Sequence, residues 1–230
     1  MLQLDQLTVR QGAFELVADV TMRAPITALV GPSGAGKSTL LNVIAGFIPP
    51  NSGRALWRGQ DVTALPPAKR PVAMLFQDNN LFAHLDIGRN LALALTRKRP
   101  TSAERSQIAE ALARVGLPDV EARKPSELSG GQQSRVALAR VLLQARPLML
   151  LDEPFAALGP ALKHEMLDLV AEVASEKNLQ VIMVSHDPQD AARIASEAAV
   201  VAEGTVAPPI PTQALLRDPP PALARYLGTG

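Results

Sequence analysis

The 230-residue chain has no cysteine, one tryptophan, one tyrosine and five phenylalanines. Without cysteine it forms no disulfide, offers no thiolate nucleophile and builds no cysteine-based zinc site, a pattern that fits a reducing compartment. An excess of charge is missing too. Lys and Arg number 23 against 22 Asp and Glu, a net charge of +1. Near neutrality leaves no electrostatic footprint for a polyanion, so no nucleic acid is expected as partner. The densest basic cluster, Arg97-Lys98-Arg99, reads as a solvated loop. No apolar run approaches the length that spans a bilayer. Met1-Leu2-Gln3-Leu4-Asp5 lacks the basic and apolar regions of a signal peptide. The expectation is a chain that is soluble, or peripheral to a membrane through a partner.

What the chain does have is 47% hydrophobic residues, enough for a full core in one large domain. The apolar run 26–30 leads into Gly31-Pro32-Ser33-Gly34-Ala35-Gly36-Lys37-Ser38-Thr39, which opens into the helix-forming Leu40-Leu41-Asn42-Val43-Ile44. A phosphate-binding P-loop needs this placement between strand and helix. Its glycines let backbone N–H groups turn inward, and the helix N-terminus adds positive potential, so together they wrap a phosphate chain. Lys37 reaches the β- and γ-phosphates, and Ser38 holds Mg²⁺. The plainer reading, a chance glycine turn before a helix, arises in roughly one chain of this length per hundred at average residue frequencies. The motif defines a nucleotide site.

Strands are expected at 2–9, 14–21, 26–30, 54–58 and 72–76, the last ending at Gln77. Region 79–127 changes character and reads as a mostly helical insertion. Thr101-Ser102-Ala103-Glu104 forms a capping box there, and Ile108, Leu112 and Val115 recur at helical spacing. Beyond it, helix (132–143), strand (148–151), helix (161–175), strand (181–185), helix (188–194) and strand (198–202) alternate. That order argues for a largely parallel sheet covered on both faces. The tail from Thr205 carries prolines at 208, 209, 211, 219, 220 and 221, with room for one or two short helices.

Leu148-Met149-Leu150-Leu151-Asp152-Glu153 is a buried strand that delivers two carboxylates at its C-terminal end. Behind a P-loop, Asp152 takes the metal role and Glu153 polarises the attacking water as general base. Leu128-Ser129-Gly130-Gly131-Gln132 reads first as a glycine turn capping the next helix. Serine and two glycines at a helix N-terminus also make a second anion site. One chain has one P-loop, so a second phosphate-binding edge makes sense when it serves a nucleotide held by another copy.

With the 31–39 loop, Gln77, Ser129 to Gln132, Asp152-Glu153 and His186 in this order, the chain resembles the ATP-binding cassette (ABC) ATPases over nearly its whole length. The resemblance implies an α/β P-loop NTPase fold with a mostly parallel central sheet. An N-terminal antiparallel β subdomain and a helical subdomain insertion accompany it. The single domain then divides into a nucleotide-binding core at 1–78 and 128–204, a helical part at 79–127 and a short tail at 205–230. The cofactors implied are ATP and Mg²⁺, with Ser38, Gln77 and Asp152 toward the metal. Two copies pair head to tail, each nucleotide lying between one P-loop and the other copy's Ser129, Gly130, Gly131 and Gln132. Gln77 contacts Mg²⁺ and the attacking water and senses the transmembrane partner, and His186 contacts the γ-phosphate. His84 and His164 match no motif and read as surface residues.

Two positions depart from the family. Where it usually has Asp, in a Ser-Ala-Leu-Asp-like segment, this chain has Ala156-Ala157-Leu158-Gly159. Gly159 supplies no carboxylate to reach across the dimer, so weaker coupling between the two sites is expected. The family also often stacks adenine on an aromatic residue about twenty positions before the P-loop. Thr8, Val9 and Arg10 occupy that neighbourhood. Arg10 is the expected stacking residue through its guanidinium plane, with Phe14 the less well-placed alternative. Ser134 stands where Gln or Lys is common.

Compact chains of this kind usually serve importers beneath separate permease subunits, fed by a periplasmic or extracellular binding protein. That implies a place at the cytoplasmic face of a bacterial inner membrane. The stretch 76–85, with Leu81 and Phe82 as docking knobs, is similar to that of thiamine-importer ATPases. So are 45–50, 65–72 and 190–195. Importers of iron, sulfate or polyamines share much of these stretches; a soluble non-transport ABC ATPase and, because of Gly159, a non-hydrolysing regulatory or structural homologue are the further alternatives.

Overall fold

In a computed structural model, which describes residues 1–227, the chain opens on a long hairpin. Its strands are β1 (Leu2–Gln11) and β2 (Phe14–Met22), and both alternate between buried and exposed positions. Then come β3 (Ile26–Val30), helix α1 (Lys37–Ala45), β4 (Ser52–Trp57), β5 (Gln60–Asp61) and β6 (Val72–Leu75). Helices α2 (Ile87–Ala92), α3 (Ser102–Arg114) and α4 (Gly130–Leu143) precede β7 (Leu148–Asp152). Next are α5 (Pro160–Glu176), β8 (Gln180–Val184), α6 (Pro188–Ile194) and β9 (Glu197–Ala202). The tail adds β10 (Thr205–Val206), β11 (Ile210–Pro211), α7 (Thr212–Arg217) and α8 (Pro221–Leu227).

Strands β9, β3, β8, β7 and β6 lie side by side in that order, every neighbouring pair parallel. Parallel strands require crossovers, and the helices that make them cover both faces. These strands therefore read as continuous apolar runs, yet their residues divide between two cores. Ala28, Met149, Leu151, Val181 and Met183 join α3, α4 and α5 on one face. Leu29, Leu148, Leu150, Ile182 and Val184 meet α1 and the β1–β2 hairpin on the other. The antiparallel strands β5, β4, β1 and β2 extend the same sheet, joined to it by β10, which pairs with both β2 and β9.

Most expected elements stand within a few residues of their places. Two readings are corrected. The proline-rich tail holds the two short helices for which there was room, but it also contributes β10 and β11, which both pair with the preceding β9, and β10 with β2 as well. Region 79–127 holds helices of only 6 and 13 residues plus one 3-10 turn at Pro125–Glu127, so loop makes up more of it than expected. Pro100 cannot continue a helix. Buried Asn90 shapes the preceding loop instead, accepting from the Phe82 N–H and donating to the carbonyls of Phe82, Leu85 and Asp86. The capping box at Thr101 and Glu104 is present in both directions.

Behind α1, Arg70 is 2% exposed. Its guanidinium donates to four carbonyls, those of Leu65, Thr63, Val43 and Ile44, at 2.6–2.9 Å. Two of these are carbonyls of the last turn of α1, where a cation also suits the helix dipole. Replacing Arg70 with Leu leaves four acceptors without their donor. The variant is expected to lose about 3 kcal/mol of stability, read from urea unfolding, whereas Arg70→Lys keeps part of it.

Candidate nucleotide site

A parallel sheet delivers the carboxyl ends of its strands to one edge. β3 leads into Gly31, β6 into Phe76-Gln77 and β8 into Ser185-His186, while β7 ends at Asp152 and is followed by Glu153. A cavity of about 410 Å³ opens on that edge between the 31–39 loop, Gln77, Glu153 and the tip of the β1–β2 hairpin.

Two glycines make the loop's path possible. Gly31 has φ 146°, and a Cβ there would stand 2.1 Å from the Val201 carbonyl oxygen of β9. Gly36, at φ 99°, is the N-cap of α1, and a Cβ on it would meet the Phe14 ring at 2.6 Å. No side chain caps α1, so its first-turn N–H groups remain available to an anion. Lys37 is 7% exposed and donates from Nζ to the carbonyls of Gly31 and Pro32, each at 2.8 Å. Burial lowers its pKa, and the charges of Glu153 and Asp152 work the other way.

Ser38 Oγ donates to Asp152 Oδ1 at 2.9 Å. Burial raises the Asp152 carboxyl above its ordinary range, with the Glu153 charge adding to the rise and the Ser38 bond and Lys37 opposing it. A hydroxyl and one carboxylate are hard oxygen donors. That set suits Mg²⁺, which takes one or two carboxylates and completes its shell with phosphate oxygens and water. Glu153 follows in the left-handed region at φ 46°, its N–H bonded to the Val184 carbonyl at 3.1 Å. For a non-glycine residue this conformation costs about 1 kcal/mol or more and is typical of functional turns. It turns the Glu153 side chain toward β8, with Oε2 3.4 Å from His186 Nδ1.

The structure thus gathers the 31–39 loop, Gln77, Asp152, Glu153 and His186 at one edge. It leaves Ser129 to Gln132 apart, at the start of α4 and outside the cavity lining. There Ser129 Oγ accepts the Gln132 N–H at 3.3 Å, and Gln132 Oε1 accepts the Ser129 N–H at 3.0 Å. A Cβ on Gly131 would come within 2.8 Å of Leu158, so this turn packs on the 156–159 segment. Gly159 is the N-cap of α5 and gives it no side-chain cap. Arg10 is a correction: its guanidinium pairs with Glu15 at 2.8 Å on the exposed side of the hairpin, and Gln11 and Phe14 line the cavity instead. The sequence signal for Phe14 was its aromatic ring. Its proximity to Gly36 is a product of how the hairpin folds over α1.

Sequence reasoning passed over Arg140. Its guanidinium donates to the carbonyls of Asn80 and Asn79 at 2.7 and 2.8 Å, and both asparagines have positive φ. Asn79 also donates to Ser134 Oγ at 3.3 Å, so the turn that follows Gln77 is strapped to α4. An Asn-Asn pair, tolerant of the left-handed region, is the one clue the sequence held.

A glycine loop between strand and helix, set beside a buried carboxylate at the edge of a parallel sheet, defines a P-loop nucleotide-binding protein. The chain belongs to the ABC transporter family, whose profile matches residues 20–156. It is 58% identical to the "Thiamine import ATP-binding protein ThiQ" of Ruegeria sp. (strain TM1040), over 99% of this chain and 100% of that one. The protein of the same name from Cereibacter sphaeroides is 56% identical over the same shares. Among solved structures it resembles "Dimeric Structure of MJ0796, a Bacterial ABC Transporter Cassette", with TM-score 0.82, 26% identity, and coverage of 92% of this chain and 99% of that one. An equal likeness holds to that cassette in "a post-hydrolysis state" bound to ADP and Pi.

Because burial raises the Asp152 carboxyl, its charge opposes folding at neutral pH. The unfolded state releases that proton at lower pH than the folded one, so this contribution weakens stability as pH rises from the ordinary carboxylate range through the raised value. Asp152→Asn is therefore expected to raise the melting temperature of the nucleotide-free chain at pH 7 while removing Mg²⁺-dependent turnover. Differential scanning fluorimetry with a phosphate-release assay reads both.

Proposed function

We propose that this chain is the ATP-hydrolysing subunit of an importer that moves thiamine, or its phosphate esters, through a separate membrane permease. The observation that carries the reading is full-length identity of 58% to a thiamine-import ATP-binding protein. The site supplies the chemistry. The 31–39 loop and the α1 N-terminus receive the phosphates, and Lys37 leaves the Gly31 and Pro32 carbonyls for the β- and γ-oxygens. Ser38 and Asp152 hold Mg²⁺, with Gln77 toward the metal and the water. When bound, the ion neutralises charge on the phosphate oxygens. Glu153 accepts the proton of the attacking water, and His186 contacts the γ-phosphate. Phe14, in place of Arg10, offers its ring to adenine.

A second copy completes the site. Ser129, Gly130, Gly131 and Gln132 lie outside their own chain's cavity, which suits a role at the partner's nucleotide in a head-to-tail pair. The permease docks near Gln77. Of the two expected knobs, Leu81 packs on the core while Phe82 stays 48% exposed. Phe47, 52% exposed and 5.4 Å from the Phe76 ring, is a second exposed aromatic, beside the residue that precedes Gln77. No helix among the described residues is long and apolar enough to cross a membrane. The chain works as a peripheral subunit on the cytoplasmic face, and a substrate-binding protein acts on the far side.

Uptake of labelled thiamine tests this. Cells lacking their own importer ATPase, but keeping the matching permease and binding protein, are expected to regain uptake with this chain and not with Lys37→Ala. No uptake from a chain that assembles with the permease would overturn thiamine as the solute, and full uptake with Lys37→Ala would overturn the P-loop role.

A further inference from the structure

Helix α5 starts without a side-chain cap, because Gly159 has none to give. One turn in, Lys163 reaches out of the helix to the turn that carries His186. Its Nζ lies 2.6 Å from Asp187 Oδ2 and 2.7 Å from Asp190 Oδ1. Ser185 Oγ donates to the other Asp190 oxygen at 2.6 Å and accepts the Asp187 N–H at 3.0 Å. Both neighbours of His186 in the chain, Ser185 and Asp187, are thus tied into one network that closes on Lys163.

This network is not explained by stability. Lys163 and Asp190 are 17% and 10% exposed, and taking such charges out of water offsets most of their attraction. Burial by itself lowers the Lys163 pKa, but the two carboxylates outweigh it and the net shift is upward, so the cation persists at neutral pH. What the network does fix is geometry. His186 Nδ1 stands 3.4 Å from Glu153 Oε2, beyond a tight hydrogen bond, so a small rotation of the turn would part them. Without Lys163 the carboxylates of Asp187 and Asp190 would keep only neutral donors, the Gln189 N–H and the Ser185 hydroxyl, and would lose the cation between them. Lys163 does not line the cavity at the phosphate loop; it lines a smaller one together with Glu153, Ser185, His186 and Asp190.

We propose that Lys163 is a positioning residue, holding the His186 turn so that His186 stays aligned with Glu153. The proposal rests on the ATPase reading above. It also gives α5 a function in that reaction: the 156–159 segment, which packs on Gly131, leads directly into the helix that carries Lys163.

In the full-length chain, Lys163→Met is expected to lower kcat for ATP hydrolysis about tenfold with KM for ATP unchanged, within the range that small misplacements of catalytic groups cost. Lys163→Arg should restore most of it. Added to His186→Ala, the Met substitution should bring no further loss, since it acts through that side chain. Losses that multiply in the double variant, or no rescue by Arg, would overturn the proposal. A second readout is independent of turnover. The chain has three histidines, and the ring signals of His186 in an NMR spectrum are expected to shift and broaden in Lys163→Met while those of His84 stay in place. Unchanged His186 signals would overturn the positioning role. A native chain that hydrolyses no ATP would count against the ATPase reading alone, with the NMR result still deciding the role of Lys163.

Discussion

Ser38 and Asp152 are separated by 114 positions of chain and joined by a 2.9 Å hydrogen bond. That contact exists only because β3, β8 and β7 run side by side in the same direction, so a loop leaving one strand and a carboxylate ending another arrive at the same edge. The rest of the site depends on the same constraint. Gln77 arrives at the end of β6 and His186 at the end of β8. The close approach of Gly31 to Val201 fixes the loop against β9. Had one of these strands run antiparallel, its functional residue would stand at the opposite edge.

The nucleotide-free site is arranged at a cost. A buried carboxylate, a buried ammonium turned back onto two carbonyls, and a left-handed Glu153 are each unfavourable alone. In the function proposed above, phosphate oxygens would take over Lys37 and a cation would take over Asp152. This is the pattern of a site pre-organised for an anion and a divalent ion, with the two cores on either face of the sheet supplying the stability that offsets it. Arg70, gripping the far end of α1, holds the helix in place at the end away from the phosphates.

Much of this could be read from the residues because the motifs are local. The P-loop, the capping box at Thr101 and Glu104, and the apolar strand ending in Asp152-Glu153 each carry their structure within a few positions. The misses are tertiary. Arg10 and Phe14 sit four positions apart on one hairpin, and only its folding over α1 decides which of them meets the cavity. β10 and β11 are two-residue strands that exist because β2 and β9 offer them partners. Asn79 and Asn80 are held by Arg140 from another helix. Lys163 meets Asp187 and Asp190 only because α6 folds against α5. The turn Ser129 to Gln132 shows the opposite limit. Its cap is complete within one chain, while the purpose proposed for it needs a copy of the chain alongside.

The proposed head-to-tail pairing turns on this separation: the 31–39 loop and the Ser129 to Gln132 turn do not meet within one chain. The most direct measurement is the mass in solution of Glu153→Gln, by light scattering, without nucleotide and with saturating ATP and Mg²⁺. Head-to-tail pairing around ATP requires a shift from the 24.4 kDa of one chain to twice that mass when ATP is present and not hydrolysed. A variant that binds ATP yet keeps the mass of a single chain would rule the pairing out.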